Sequence, residues 1–205
     1  WNPAKFAFID GKAGVGISYS PWLRNLVPDI NIAYLTGYYR IDKKQVASAS
    51  LLYSSLGDVP FTDEFGNLER NFKPNELAFD VGYSRIFADH FSGGIVFRFI
   101  YSNLTGGTYS GGDATKAGTS FAADISGYYN NKISLFSKDG DVAFGVNFSN
   151  IGSKMSYSDD QKSDFIPMNL RIGGSSSLNL DNFNKIALAI DFNKLLVPTP
   201  PIYNN

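Results

Sequence analysis

Few residues of this sequence could do acid–base chemistry. His90 is the only histidine, and Asp89 precedes it in the run Ala-Asp-His-Phe. A histidine beside a carboxylate is the pairing that activates the nucleophile of many hydrolases. Neighbours in sequence need not present that geometry, and this pair falls in a short predicted turn. We therefore interpret His90 as an ordinary turn residue.

Two further groups could bind an ion or a phosphate. Asp159, Asp160 and Asp164 carry the oxygen ligands that a hard cation such as Ca²⁺ prefers, although solvated loop carboxylates are the more frequent arrangement. The pairs Gly106-Gly107 and Gly111-Gly112 lack the following Lys-Ser or Lys-Thr and the helix of a phosphate-binding loop. The sequence thus predicts no catalytic residue, no metal site and no cofactor.

Five charged residues lie within segments in which apolar residues occupy every second position. Each of the five occupies one of the alternate positions, between the apolar ones. They are Asp80, Arg98, Asp124, Arg171 and Asp191. This two-residue period predicts β-strands with one apolar face and one polar face. Lipid tails cannot solvate a charge but a polar lumen can, so we expect a transmembrane β-barrel wall with these five residues facing the lumen.

The five charges allow a structural and a functional interpretation. They could pair across a narrow lumen, line a polar conduit, or anchor a plug, and their mixed signs favour the structural role over conduction. Arg85 is an exception, because it shares the parity of Phe79 and Tyr83. It lies near a predicted strand end, where a long cation can reach the membrane interface.

Composition agrees with an all-β membrane protein. Aromatic residues make up 15% of the chain and charged residues 18%, which is poor in charge for a soluble surface. No run of 18 apolar residues occurs, which excludes a helical membrane protein. The absence of cysteine leaves no disulfide framework, and a net charge of -1 gives no case for nucleic acid.

The alternation predicts nine antiparallel strands, joined by alternating long and short connections. The predicted strands lie near residues 12–20, 30–41, 45–55, 76–87, 91–104, 118–129, 140–150, 165–178 and 184–194. Outer-membrane barrels have short periplasmic turns and longer external loops, so we place the long connections outside the cell. Nine is an odd number and an open edge in lipid is costly, so we expect the N-terminal portion of a larger barrel.

Hydrophobic residues in the predicted external connections are unexpected. They are Trp22 and Leu23 in the first connection, and Leu56, Val59, Phe61, Phe65 and Phe72 between Leu56 and Asn75. Such side chains require cover in water, from packing within the loop, from lipopolysaccharide, or from a partner protein. Packing within the loop and a partner surface are both open at this point.

Several short runs resemble a known family of outer-membrane proteins. Asn2-Pro3-Ala4 resembles the segment that precedes the first strand in the FadL superfamily. The runs from Ser18 to Leu23, from Asp29 to Tyr34 and from Ser55 to Asp63 resemble one branch, the PorV (LptO) family of the type IX secretion system. The resemblance is strongest over roughly the first hundred residues.

The resemblance implies an architecture. Residues 1–11 would be the end of an N-terminal hatch, with Asn2, Pro3 and Ala4 as its motif, and residues 12–205 would begin a fourteen-stranded barrel. It also implies a non-enzymatic component that escorts secreted cargo by its C-terminal signal domain. The implied partners are outer-membrane lipid and lipopolysaccharide, the translocon, and a sortase complex of PorU, PorQ and PorZ.

Two other functions compete with this one. A FadL-type transporter of hydrophobic small molecules requires an apolar pocket and an exit route. A lipid A modifying enzyme requires a nucleophile and a base, and the sequence offers no convincing pair. The external connections are the predicted working surface of a secretion component, with Trp22, Leu23, Val59, Phe61, Phe65 and Phe72 as candidate contacts.

Overall fold

The computed structural model describes residues 1–21, 29–63, 65–107, 109–110, 113–135, 137–158 and 163–196. The candidate contacts Trp22 and Leu23 lie outside the described residues, as do Asp159, Asp160 and the pair Gly111-Gly112. Among the residues described, no helix is long and apolar enough to cross a membrane.

The described chain is built almost entirely of strands. It begins with a 3₁₀ helix, Pro3–Phe8. The strands that follow are β1 (Ala13–Pro21), β2 (Ile30–Arg40), β3 (Gln45–Leu56), β4 (Val59–Thr62), β5 (Leu68–Phe72), β6 (Asn75–Ala88), β7 (Phe91–Asn103), β8 (Tyr109–Ser110), β9 (Asp113–Ala114), β10 (Gly118–Leu135), β11 (Lys138–Gly152), β12 (Lys154–Met155), β13 (Asp164–Phe165), β14 (Asn169–Asn179) and β15 (Lys185–Leu195).

In the part of the chain that the structure describes, nine strands form one antiparallel sheet in the order β1-β2-β3-β6-β7-β10-β11-β14-β15. The remaining strands pair in twos within the long connections: β4 with β5, β8 with β9, and β12 with β13. The predicted fold class is confirmed, since an all-β chain with one large antiparallel meander fits a barrel wall. Within the described residues β1 and β15 are the two edges, so the sheet is not closed.

Two local predictions were wrong. The predicted turn at Lys138-Asp139-Gly140 lies within β11, because β10 and β11 extend further and pair as far as Leu135 with Lys138. The strand predicted from residue 165 begins at Asn169, and Asp164–Phe165 pairs with β12 instead. The long connection between Leu56 and Asn75 contains the β4–β5 hairpin, which was not predicted from the sequence.

The two faces of the sheet differ in what covers them. We call the face that contacts residues 1–8 the inner face and the opposite one the outer face. Large apolar side chains stand exposed along the outer face, among them Ile17, Leu35, Phe79, Phe97, Phe121, Phe144, Ile172 and Leu188. The inner face carries small and polar residues, of which Ser84, Ser92, Ser102, Ser120, Ser126 and Asn147 are buried. An apolar belt around a polar interior is the arrangement that lipid requires of a barrel wall.

A seated N-terminal segment and an exposed hairpin as the candidate functional site

The N-terminal segment, Trp1–Phe8, has a sequence that favours a helical turn. Asn2 is the N-cap residue, and its side-chain oxygen accepts a hydrogen bond from the backbone nitrogen of Ala4 at 3.0 Å. Pro3 follows it at the first helical position, where the missing N–H is not needed. The Asn-Pro-Ala motif therefore favours the helical turn through local interactions.

Three buried serines of the sheet hold the backbone of this turn. The Ser84 hydroxyl donates to Pro3 O at 2.8 Å, and the Ser92 hydroxyl donates to Ala4 O at 2.7 Å. Ala4 N donates in turn to the Ser126 Oγ at 2.9 Å. Because these bonds satisfy main-chain groups in a buried place, they fix the position of the segment on β6, β7 and β10. We call Ser84, Ser92, Gly94 and Ser126 the seat.

Gly94 sets how closely the segment approaches the sheet. A Cβ at this position would stand 2.6 Å from Ala4 N and 2.9 Å from Ala4 Cα. These are backbone atoms, so the clash could be relieved only by moving the segment or the strand. The absence of a side chain at Gly94 is therefore what admits the Ala4 backbone into the seat.

Asn2 and Trp1 extend the docking to the far strands. The Asn2 amide donates to Gly127 O at 2.8 Å and to Val146 O at 3.2 Å. The Asn147 amide donates to Trp1 O at 3.2 Å. These bonds tie the segment to β10 and β11, at main-chain and asparagine groups on the inner face.

Two of the five predicted lumen charges hold the Trp1 side chain. The indole nitrogen donates to Asp191 Oδ2 at 3.2 Å, and the Arg171 guanidinium lies 5.4 Å from the centre of the Trp1 ring. A cation at this distance is attracted to the ring face. Arg171 and Asp191 thus lie on the inner face and contact the N-terminal segment.

The other three charges form one cluster on neighbouring strands. Arg98 Nε lies 2.8 Å from Asp80 Oδ1, and Arg98 Nη2 lies 3.3 Å from Asp124 Oδ2. Asp124 is only 5% exposed, and its Oδ1 also accepts from the backbone nitrogen of Asn150 at 2.8 Å. These pairs join adjacent strands, because Asp80, Arg98 and Asp124 lie on β6, β7 and β10. A guanidinium held by two carboxylates links the three strands through charge-assisted hydrogen bonds.

Asn150 was not predicted as a site residue. It adopts a positive φ of 58° at the place where the β10–β11 register shifts. Its side-chain oxygen accepts from Arg98 Nη1, and its amide donates to Pro167 O at 3.1 Å. Asn150 therefore connects the charge cluster to the connection between β11 and β14.

That connection turns towards the inner face. The Tyr157 hydroxyl donates to Ser102 Oγ at 2.9 Å, and Ser102 donates to Glu76 Oε1 at 2.7 Å. A pocket of about 360 Å³ lies on the inner face beside the N-terminal segment, bordered by Trp1, Phe6, Tyr34, Asp80, Arg98 and Asp124.

The β4–β5 hairpin presents apolar side chains in two different ways. Phe61 and Phe72 lie against each other with ring centres 6.3 Å apart, and the Arg70 guanidinium lies 4.8 Å from the centre of the Phe61 ring. Phe65, at the turn, is 82% exposed, and Val59 and Leu68 are also exposed. Packing within the loop accounts for Phe61 and Phe72 and leaves Phe65 uncovered.

The turn of this hairpin is held by Asp63. Its Oδ1 accepts from the backbone nitrogens of Phe65 at 2.9 Å and Asn67 at 2.8 Å. The Asn67 amide donates to Oδ2 at 2.9 Å, and Gly66 supplies the positive φ of 83°. The Asn67 side chain, followed by the backbone donors, lowers the pKa of Asp63 below its ordinary value. Phe65 is therefore presented on a constrained turn.

The residues considered for chemistry lie apart from this site. His90 Nδ1 lies 3.1 Å from Asn130 O, and the His90 ring lies against Tyr129. Asp164 belongs to the short strand β13. In the described part of the chain, no three histidine, aspartate or glutamate side chains lie together where they could hold a metal ion.

An antiparallel wall with an apolar outer face, and an N-terminal segment docked on its inner face, define the class of protein as an outer-membrane β-barrel component. A comparison with curated proteins gives no match. Residues 1–202 match the family described as type IX secretion system protein PorV, and the chain belongs to that family. It is therefore a component of the type IX secretion system.

Proposed function

We propose that this protein is a non-enzymatic outer-membrane carrier that binds the C-terminal signal domain of secreted cargo. It passes the cargo from the translocon to a cell-surface sortase complex of the PorU, PorQ and PorZ kind. The wall crosses the membrane repeatedly with its long connections outside the cell, in contact with lipid and lipopolysaccharide. The β4–β5 hairpin is the surface that recognises one of these protein partners.

The observation that carries the proposal is the exposure of Phe65. An aromatic ring that is 82% exposed on a turn fixed by Asp63 is unfavourable in water and gains when a partner covers it. Apolar anchors held rigidly at an interface often supply much of its binding energy. Leu68 and Val59 extend the same apolar surface towards the sheet.

The inner face supports a carrier over the alternative of a transporter of hydrophobic molecules. An acyl chain prefers an apolar pocket, whereas the pocket beside the N-terminal segment borders Asp80, Arg98 and Asp124. The hydrogen bonds of Ala4 to the seat hold the N-terminal segment across one end of that space. The polar pocket and the docked N-terminal segment both favour binding of partners at the external connections over passage of an apolar molecule through the lumen.

The test compares two exposed phenylalanines at opposite ends of the sheet. Phe65→Asp removes the proposed anchor, and Phe183→Asp changes a residue that is 95% exposed in the short β14–β15 connection. Phe61→Asp serves as a control for loop packing, since Phe61 contacts Phe72. Folded barrel in the outer membrane and cargo retained in the periplasm are measured in the same cells.

We expect Phe65→Asp to assemble normally and to retain cargo, with partner affinity lowered by about 2 kcal/mol or more, the range of an interface hot spot. Phe183→Asp should secrete normally. Normal secretion by the Phe65→Asp variant at wild-type barrel levels would refute the hairpin's role. Equal defects in both variants would show a general effect of the added charge rather than recognition.

A further inference from the structure

One sector of the short-turn rim is strongly basic. We call Lys12, Lys43, Lys44 and Arg85 the basic sector; they come from the start of β1, the β2–β3 connection and β6. All four are exposed. Arg85 is the charged residue whose parity on β6 places it on the outer face. The contacts described for the inner-face charges therefore give Arg85 no role.

The backbone brings these four residues together. Gln45 pairs with Arg85 in the β3–β6 register, and Ile86 N donates to Lys44 O at 2.9 Å. Arg40 N donates to Lys12 O at 2.8 Å, which places Lys12 beside the β2–β3 turn. The one acidic residue in that turn, Asp42, accepts from Lys44 N at 2.7 Å. The β2–β3 turn therefore sets one carboxylate against the four cations of the sector, and the Arg40 guanidinium lies beside them, donating to Lys43 O at 3.4 Å.

Apolar and aromatic side chains of the outer face adjoin the sector. Lys12 Nζ lies 4.6 Å from the centre of the Tyr39 ring, and Tyr39 and Ile41 are both exposed. Arg85 stands between Tyr83 and Phe87 on the outer face of β6, and Phe87 is also exposed. Cations at the border of an apolar belt with aromatic neighbours are at the depth where lipid headgroups lie.

The rest of the same rim is close to neutral. The β6–β7 connection contains Asp89 and His90, and the β14–β15 connection contains Asp181. Lys185 Nζ lies 3.5 Å from Asp141 Oδ2, so that cation is paired. The positive charge of the rim is thus concentrated at β1, β2, β3 and β6. A general preference for cations at the membrane interface would instead distribute them around the whole rim.

We propose that the basic sector binds the phosphate headgroups of anionic glycerophospholipids in the leaflet on the short-turn side. The inference rests on the proposed orientation, in which the short turns face the periplasm and so meet phospholipid rather than lipopolysaccharide. Lys43, Lys44 and Arg85 contact the phosphates, while Tyr39 and Phe87 insert beside them at the acyl boundary. The bound lipids fix the height and tilt of this side of the barrel.

The experiment measures lipid selection by the purified protein. Wild type and variants are placed in nanodiscs of equal parts phosphatidylglycerol and phosphatidylethanolamine, released gently, and the retained lipids are counted by native mass spectrometry. The variant is Lys43→Gln/Lys44→Gln/Arg85→Gln. The control is Lys132→Gln/Lys138→Gln/Lys185→Gln, which removes three cations elsewhere on the same rim.

Each cation near an anionic surface contributes a factor of about five. The three factors multiply, so we expect the phosphatidylglycerol preference of the triple variant to fall about 100-fold, while the control retains the wild-type preference. Equal loss in both variants, no preference in the wild type, or displacement of phosphatidylglycerol by added lipopolysaccharide would each overturn the proposal. The lipid experiment does not measure cargo secretion. A negative result for lipid binding therefore leaves the Phe65 test of the proposed function unaffected.

Discussion

Replacing Gly94 by alanine tests whether the N-terminal segment is held in place by the seat. The new Cβ would meet Ala4 N at 2.6 Å and the carbonyl carbon of Pro3 at 2.9 Å. Inserting a methyl into such a contact costs about 1–3 kcal/mol when the structure yields only in part. If the segment leaves the seat instead, it loses the hydrogen bonds to Ser84, Ser92 and Ser126.

The size of the effect follows from the strain that the methyl adds to the docked state, about 1–3 kcal/mol. The three hydrogen bonds are broken on opening in both proteins, so they do not change the ratio. Because 1.4 kcal/mol is a factor of ten in an equilibrium, the segment should open about 5- to 100-fold more often in the variant. Amide hydrogen exchange of the peptide Trp1–Phe8, followed by mass spectrometry in detergent, measures this opening directly.

The matched control is Gly127→Ala in the neighbouring strand β10. A Cβ there would meet the Phe91 and Val146 side chains at 3.5 Å, which is ordinary contact. Both variants should retain a heat-modifiable folded barrel on gels. Exchange in Gly94→Ala that is as slow as in wild type, with the barrel intact, would refute the seat as the element that holds the segment.

Three further predictions concern the wall and the hairpin. Leu188→Lys, on the outer face, should lower barrel assembly by about 2–4 kcal/mol, whereas Ala187→Lys on the inner face should not; equal loss on assembly gels would contradict the facing. Arg98→Leu leaves Asp80 and Asp124 without their partner and should lower unfolding stability by about 3–5 kcal/mol, with part recovered by Arg98→Lys; an unchanged melting temperature would exclude a structural role. Asp63→Ala should loosen the turn and weaken partner binding without loss of barrel. Because the pKa of Asp63 is lowered in the folded protein, the Asp63 carboxylate stabilises the turn fully above its unfolded-state pKa. This stabilisation is lost only as acid protonates the carboxylate, so partner binding should stay constant down to about pH 5.

The wall could be predicted from the sequence because alternate residues of a strand face opposite sides of the sheet. The face of each side chain can therefore be read from its immediate neighbours. Asp191 among Ile190 and Phe192 has only two faces to choose between, and a lipid-facing charge is excluded. The β4–β5 hairpin could have been predicted in the same way. Asp63, Gly66 and Asn67 between two apolar runs are the residues that a tight turn uses, but the length of the connection was used only to place it outside the cell.

The seat could not be predicted, because its members are ordinary small residues on an inner face. Ser84, Ser92 and Ser126 come from three strands and differ from other inner-face serines only in contacting the backbone of Pro3 or Ala4. Asn150 was not predicted as a site residue for a different reason. It lies at a register shift, where the two-residue period fails and parity no longer assigns a face.

Site-specific photocrosslinking in living cells tests the central claim most directly. A photoreactive amino acid is placed at Phe65, at the tip of the β4–β5 hairpin, and in a second strain at Phe183 in the short β14–β15 connection. Position 65 should crosslink to the translocon, a cargo signal domain or a sortase-complex subunit, and position 183 should not. Crosslinks confined to lipopolysaccharide at position 65, or the same protein adducts at both positions, would contradict the account.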